Sequence, residues 1–188
     1  MKSNVLFKIF LLVLFYHTVV ANEIQSVTEE IIKSQLGDDI EISFEKYYIP
    51  AELRSSIENQ CEQSFFDDNI YLWLIKSEDS IVSFALMDNV YGKSLPITFL
   101  VIFNNDGSIQ SSHIIKYRED HGGAVSSERW NQQFSGRNED SSFIIGEDIH
   151  GISGATISVR SVTLGIQKLT LLYKEIIKNY ENRTLSIR

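Results

Sequence analysis

A run of small and hydroxyl-bearing residues at positions 151–158, Gly-Ile-Ser-Gly-Ala-Thr-Ile-Ser, could hold an anion. Its small residues let a bulky ligand or another backbone come close. The run precedes a helical pattern, and the free N–H groups and dipole at a helix start favour negative charge. Two interpretations follow: a phosphate held near Thr156, or a glycine-containing turn in which Ser and Thr side chains cap the helix. No Gly-Lys-Ser/Thr follows at P-loop spacing, which excludes that motif.

A second group of residues has the chemistry of a metal site. It combines two histidines with three carboxylates, a set that suits Zn²⁺ or a similar ion. Its members are Asp120, His121, Glu147, Asp148 and His150. They fall in two separate loops without a recognised ligand spacing. The single cysteine, Cys61, can form neither an internal disulfide nor a thiolate metal site alone, and we interpret it as a small half-buried residue rather than a reactive thiol.

Composition narrows the class of protein. The chain has 188 residues, of which 43% are hydrophobic, an ordinary globular mixture about one domain long. Lys and Arg number 17 against 25 Asp and Glu, which gives a formal charge of −8. A nucleic-acid-binding surface needs clustered positive charge instead, so we expect no nucleic-acid partner.

The first 21 residues have the pattern of a secretory signal peptide. Lys2 and Lys8 flank the start of an apolar run at 5–20, and the run ends in Val19-Val20-Ala21. The run is short for a membrane span and contains polar residues, so we expect cleavage after Ala21 rather than an anchor. The mature protein is then extracytoplasmic, in the periplasm or on the outer face of the cytoplasmic membrane.

Short helical and strand patterns fill the middle of the chain. A helix from Thr28 ends at Gly37, and Pro50 opens a second helix that runs to about residue 64. Strands are predicted at 40–44, 70–75, 80–87, 97–103, 108–117 and 143–145, with a short helix at 126–134. Alternation within 108–117 places four residues on one face: Ile109, His113, Ile115 and Tyr117. We interpret His113 as a structural, partly buried histidine.

The last element has the clearest pattern. Apolar residues repeat every three or four positions over about 158–180, which predicts an amphipathic helix packed on the sheet. The apolar stripe comprises Val159, Val162, Ile166, Leu169, Tyr173, Ile176, Ile177 and Tyr180. Lys168, Lys174 and Lys178 fall off this stripe. The predicted fold class is α+β: a mostly antiparallel sheet packed with a long C-terminal amphipathic helix and short N-terminal helices.

The sequence resembles a known family at the 151–158 run. Ser153-Gly154-Ala155-Thr156 is similar to the Ser/Thr-Gly-Ala-Thr signature of FMN-binding domains, found in flavin subunits of Rnf and sodium-pumping NADH:quinone oxidoreductase complexes. His121-Gly122-Gly123, followed by Glu128-Arg129-Trp130, resembles the small exported flavoproteins of the family. We therefore divide the chain into a signal peptide (1–21), an N-terminal helix and strand portion of the same domain (22–84), an FMN-binding core (85–180) and a C-terminal tail (181–188).

The resemblance implies a defined chemistry. In the family, the last Thr of the signature carries FMN through a phosphoester bond, and that residue corresponds to Thr156. A flavin transferase supplies the FMN moiety from FAD and releases AMP, so Thr156 is an acceptor and not a catalytic residue of this chain. No Gly-x-Gly-x-x-Gly follows a strand. We expect an electron carrier rather than a stand-alone enzyme, with a membrane flavoreductase or quinone-linked electron-transfer complex as partner.

The resemblance also implies which residues meet the flavin. The loop at 121–123 occupies the flavin-facing position of the family, and aromatic side chains suit the flat ring. The implied cofactor-binding residues are Thr156, Ser153, Gly154, Ala155, His121, Gly122, Gly123, Trp130 and Tyr117. Phe134 is expected in the core. Arg118 has two interpretations, a flavin contact or an exposed ion pair with a neighbouring carboxylate.

One position departs from the family pattern. An Asp usually stands three residues before the Ser of the signature, and this chain has His150 there. If that Asp orients the acceptor for the transferase, His150 weakens the modification; if it braces the loop, His150 can serve. A flavin-free or metal-binding extracytoplasmic module with the same fold, binding a protein partner, is the alternative function.

Overall fold

The computed structural model describes residues 23–78 and 80–185. These residues belong to two compact units, one ending at Asp38 and the other beginning at Asp39. The predicted signal peptide at 1–21 lies outside the described residues. In the part of the chain that the structure describes, no helix has both the length and the apolar character needed to cross a bilayer.

The first unit contains helix α1, described over residues 23–36. The helix ends as predicted at Gly37, which has a left-handed φ of +91° and donates its N–H to the Lys33 carbonyl at 2.8 Å. The predicted start at Thr28 is wrong. Thr28 lies inside the helix, where its Oγ1 donates to the Ile24 carbonyl at 2.7 Å. A threonine hydroxyl can bond to the preceding turn in this way instead of capping the helix.

The second unit is built on a five-stranded antiparallel meander. Its strands are β1 (Glu41–Tyr48), β2 (Asn69–Ser77), β3 (Ser80–Tyr91), β4 (Pro96–Asn104) and β5 (Ile109–Lys116). Each strand pairs with its neighbours in sequence, so the order across the sheet is β1-β2-β3-β4-β5. β4 is buried along almost its whole length, which confirms the central strand predicted at 97–103.

Helices cover one face of this sheet. α2 (Ala51–Cys61) follows Pro50. α3 (Glu128–Asn131) lies between two 3₁₀ turns, and the extended backbone of Ser127 interrupts the helix predicted at 126–134. α4 (Thr156–Leu185) packs on β3, β4 and α2, so the predicted α+β architecture is confirmed. Gly165 allows this close packing, since a Cβ there would lie 2.8 Å from side-chain atoms of both Phe99 and Val90.

The apolar stripe of α4 lies in the core as predicted, and Lys168, which the sequence pattern places off that stripe, is buried as well. Its side chain is fully buried, and its Nζ lies 2.8 Å from Asp88 Oδ2 on β3. The same Nζ donates to the Ser64 carbonyl at 2.8 Å and lies 4.3 Å from the centre of the Phe65 ring. α4 has a second neighbour in α2 and the chain that follows it, so more of its circumference is buried than the sheet-facing stripe alone.

Two predictions for strands also need correction. Irregularities in the β4–β5 register interrupt the alternation of β5, so Ile109 and Ile114 pack on the core, not Ile109 and Ile115. The strand predicted at 143–145 is instead a tight turn with one isolated bridge from Ile145 to Ile149. Local bonds use its backbone groups: Asp148 Oδ2 accepts from the Ile144 N–H, and the Ile144 carbonyl accepts from the Ile149 N–H.

Candidate cofactor-binding site

A cleft of about 580 Å³ lies at the N-terminal end of α4. This volume is within the range of about 300–1,000 Å³ that is typical of small-molecule and cofactor sites. Three segments form its walls: 93–94 before β4, 119–121 after β5, and 154–158 at the start of α4. The lining residues are Lys93, Ser94, Glu119, Asp120, His121, Gly154, Ala155, Thr156, Ile157 and Ser158.

The signature residues form the turn that enters α4. Ala155 donates its N–H to the Ile152 carbonyl at 3.1 Å, and Gly154 supplies the left-handed φ of +79° that this turn needs. Thr156 is the first residue of the helix and is exposed to solvent. Its hydroxyl therefore lies beside free backbone N–H groups, where a phosphate is stabilised.

The loop after β5 approaches α4 through Tyr117. The Tyr117 hydroxyl donates to the His121 carbonyl and lies 2.9 Å from Ser158 Oγ. Ser158 is buried at 4% exposure, and its hydroxyl bonds to Tyr117. Gly122 lies beneath this contact: a Cβ there would be 2.6 Å from Tyr117 Oη and 3.0 Å from Ser158 Oγ.

Gly122→Ala should therefore be destabilising for two reasons, a φ of +88° and the clash with Tyr117. We expect a loss of about 1–3 kcal/mol in the free energy of unfolding, measured by urea denaturation. Gly136→Ala is the matched control, because Gly136 has a φ of +79° with nothing within 4 Å of its Cβ position. Equal losses in the two variants would contradict the close approach at Gly122.

Glu119 braces the opposite wall of the cleft. Its Oε1 accepts from the Ser94 N–H at 2.6 Å and the Leu95 N–H at 2.9 Å. These bonds stabilise the carboxylate and lower the pKa of Glu119, with a smaller contribution from the Lys93 charge. A Cβ at Gly92 would lie 2.6 Å from the same oxygen, so a glycine there leaves room for Glu119.

Among the described residues, Arg118 bonds to neutral oxygens of β4 instead of pairing with a neighbouring carboxylate. Its Nη1 donates to the Pro96 carbonyl at 2.8 Å and to Thr98 Oγ1 at 3.0 Å, and partial burial lowers its pKa. The side chain therefore ties the end of β5 to the start of β4.

His113, half-buried on β5, bonds to Ser111 Oγ at 3.0 Å, and burial lowers its pKa, as expected for a structural histidine.

Trp130 lies apart from the cleft. It is 6% exposed, contacts Phe134 edge-to-face, and donates its Nε1–H to the His150 carbonyl at 2.8 Å. The His150 N–H bonds to Gln133 Oε1 at 2.7 Å, so both backbone groups of His150 are held. Trp130 and His150 line a separate, smaller hollow of about 340 Å³. Phe134 is fully buried, which confirms its predicted core role.

The residues considered for a metal site do not assemble into one. Among residues 23–78 and 80–185, no three His, Cys, Asp or Glu side chains are grouped so that they could hold an ion. Asp148 instead accepts from Ser142 Oγ at 2.5 Å, and this bond lowers its pKa. Cys61 is buried more deeply than the half-buried position predicted for it, and burial raises its pKa.

The structure thus brings four of the predicted site residues into the cleft wall, Thr156, Gly154, Ala155 and His121. Tyr117 and Gly122 adjoin the cleft through Ser158, and Gly123 lies against the Tyr117 ring. Sequence reasoning missed the wall at 93–94 and its brace, Glu119. The antiparallel pairing of β4 with β5 could have indicated this wall, because it places the turn before β4 beside the loop after β5.

An exposed hydroxyl at a helix start, on the wall of a cofactor-sized cleft, is an arrangement suited to a ligand that carries a phosphate. Residues 92–170 match the family model of the FMN-binding domain. Residues 92–170 therefore form an FMN-binding domain, and this match supports FMN as the cofactor. No curated protein matches the chain.

Proposed function

We propose that this protein is an exported electron-transfer flavoprotein whose FMN is attached by a phosphoester bond to Thr156. The observation that carries the proposal is the exposed Thr156 hydroxyl at the first position of α4, on the wall of the cleft. The neighbouring hydroxyls are less suited: Ser158 is buried against Tyr117, and Ser153 is not among the residues that line the cleft.

The attachment step is a phosphoryl transfer onto this hydroxyl. Thr156 Oγ attacks the phosphorus on the FMN side of the FAD pyrophosphate, a new P–O bond forms, and the bond to the AMP oxygen breaks. AMP leaves, and the Thr156 proton passes to a base of the transferase. The remaining phosphodiester keeps one negative charge. The free N–H groups and the dipole at the N-terminus of α4 stabilise this charge, and the first turn contains no acidic residue that would repel it.

The bound FMN supplies the redox chemistry, and the protein positions it. A covalent bond suits an exported protein, because a cofactor lost outside the cytoplasm would not be replaced. The predicted signal peptide at 1–21 supports export, and its cleavage is tested by N-terminal sequencing of the protein from the cell envelope.

We propose a membrane flavoreductase or a quinone-linked complex as partner. Steady NADH turnover by the purified protein alone would contradict the carrier role.

Covalent attachment is tested by producing the full chain with and without a flavin transferase. With the transferase, we expect one FMN-sized mass increment in the denatured protein and a yellow colour that survives denaturation. Without it, the increment should be absent. Yellow flavin released on denaturation would show non-covalent binding and contradict the phosphoester.

His150 should not be needed for attachment. His150 is exposed and lines the hollow beside Trp130 but not the cleft, and the backbone of residue 150 makes the contacts that hold the loop. We therefore expect His150→Ala to retain the wild-type FMN content, measured by intact mass after co-production with the transferase. A loss of FMN comparable to that of a Thr156 variant would show that the imidazole takes part.

A further inference from the structure

Two walls of the cleft come from distant parts of the chain and meet at one side-chain contact. The 119–121 wall follows β5, and the 154–158 wall begins α4. Among the described residues, one side-chain hydrogen bond joins the two walls. It connects Tyr117, which lies just before the 119–121 wall, to Ser158 in the 154–158 wall, 41 positions away. Tyr117 also holds the His121 carbonyl, so a single hydroxyl joins a lining residue of each wall.

The hydrogen-bonding capacity of Tyr117 is largely used by these contacts. A phenol has one proton to donate, and here it is given to the His121 carbonyl. Ser158 must therefore donate its own proton to Tyr117 Oη. The ring lies under the loop as well, because a Cβ at Gly123 would be 3.7 Å from the ring edge. Tyr117 is thus committed to holding the loop and the helix together.

We propose that Tyr117 is a positioning residue for the flavin: its hydroxyl holds the 121–123 loop against the first turn of α4 and so sets the width of the cleft beside Thr156. The proposed role is indirect, through Ser158 and the His121 backbone, whereas the sequence predicted a direct contact between Tyr117 and the flavin. This inference rests on the proposed function for its effect on FMN. The loop-to-helix contact itself belongs to the protein without cofactor.

The contact is tested first in unloaded protein by amide hydrogen exchange. Tyr117→Phe keeps the ring and removes the hydroxyl, so exchange in residues 119–123 should accelerate about three- to tenfold, as expected for one lost hydrogen bond. Ser158→Ala should act in the same direction, and it tests the contact independently if Tyr117→Phe does not fold. Tyr91→Phe is the control, since Tyr91 is an exposed tyrosine (61%) whose ring meets that of Phe66 at a tilt of 38°. Unchanged exchange in Tyr117→Phe would overturn the proposal.

The effect on flavin is tested in protein produced with the transferase. Tyr117→Phe should keep the FMN mass increment, because Thr156 is intact, while the visible circular dichroism and fluorescence anisotropy of the flavin both fall. Tyr91→Phe should leave both signals at the wild-type level. Wild-type protein without an increment would contradict the proposed function and leave the exchange test of Tyr117 valid. A loaded Tyr117→Phe variant with unchanged flavin signals would overturn the positioning role.

Discussion

Thr156→Ala should abolish covalent FMN completely while leaving the protein folded. The substitution removes the only atom of the residue that can form the phosphoester, so no FMN-sized mass increment should appear after co-production with the transferase. Thr156 is exposed at the start of α4, and the variant should stay within about 0.5 kcal/mol of the wild-type unfolding free energy, measured in urea. A folded, colourless protein is the expected result.

Three further variants make this result specific. Thr156→Ser keeps a hydroxyl at the same helix position and should retain FMN. Ser153→Ala and Ser158→Ala remove the neighbouring hydroxyls and should retain it as well. Peptide mapping of the loaded protein should place the increment on Thr156. An increment that persists in Thr156→Ala, or that maps to Ser153 or Ser158, would overturn the assignment.

Much of the fold could be predicted because local patterns specify it. The 3.6-residue apolar period of α4 runs through its whole core-facing side, and no competing pattern interrupts it. The strands from β2 to β5 alternate or are wholly apolar, with the Asn-Asp-Gly turn at 105–107 between the last two. The predicted start of α4 at about residue 158 comes within two residues of the observed start at Thr156, because small residues and a hydroxyl stand just before the periodic segment.

The missed features depend on contacts between distant positions. Tyr117 and Ser158 are 41 residues apart, and Glu119 reaches back 25 residues to Ser94. Such pairs require the strand register, and irregularities in the β4–β5 register shift which side chains of β5 face the core. The burial of Lys168 depends on α2 lying beside α4, which no periodicity within α4 can indicate.

Lys168→Met should produce the largest loss of stability among these variants. Lys168 is fully buried and pairs at 2.8 Å with Asp88, whose side chain is 3% exposed. Methionine fills similar space but leaves the Asp88 carboxylate and the Ser64 carbonyl without this donor. Removing one partner of a buried ion pair costs about 3–5 kcal/mol, which urea denaturation would measure as a lower midpoint at unchanged slope. Lys174→Met is the control on the same helix: its pair with Glu139 is partly exposed and should contribute only about 0–1 kcal/mol.

The loss of unfolding free energy caused by Lys168→Met should depend on whether Asp88 is charged. Burial raises the pKa of Asp88, and the nearby Lys168 charge opposes that increase, so methionine should raise the pKa further. A carboxyl group with a raised folded-state pKa is less destabilising when protonated, so the difference between variant and wild type should shrink as the pH falls. Adding Asp88→Leu removes the unpaired charge and should recover most of the lost stability, since an apolar pair can replace a buried ion pair at little cost. A double variant as unstable as Lys168→Met alone would show that the loss comes from packing at position 168 and not from the charge of Asp88.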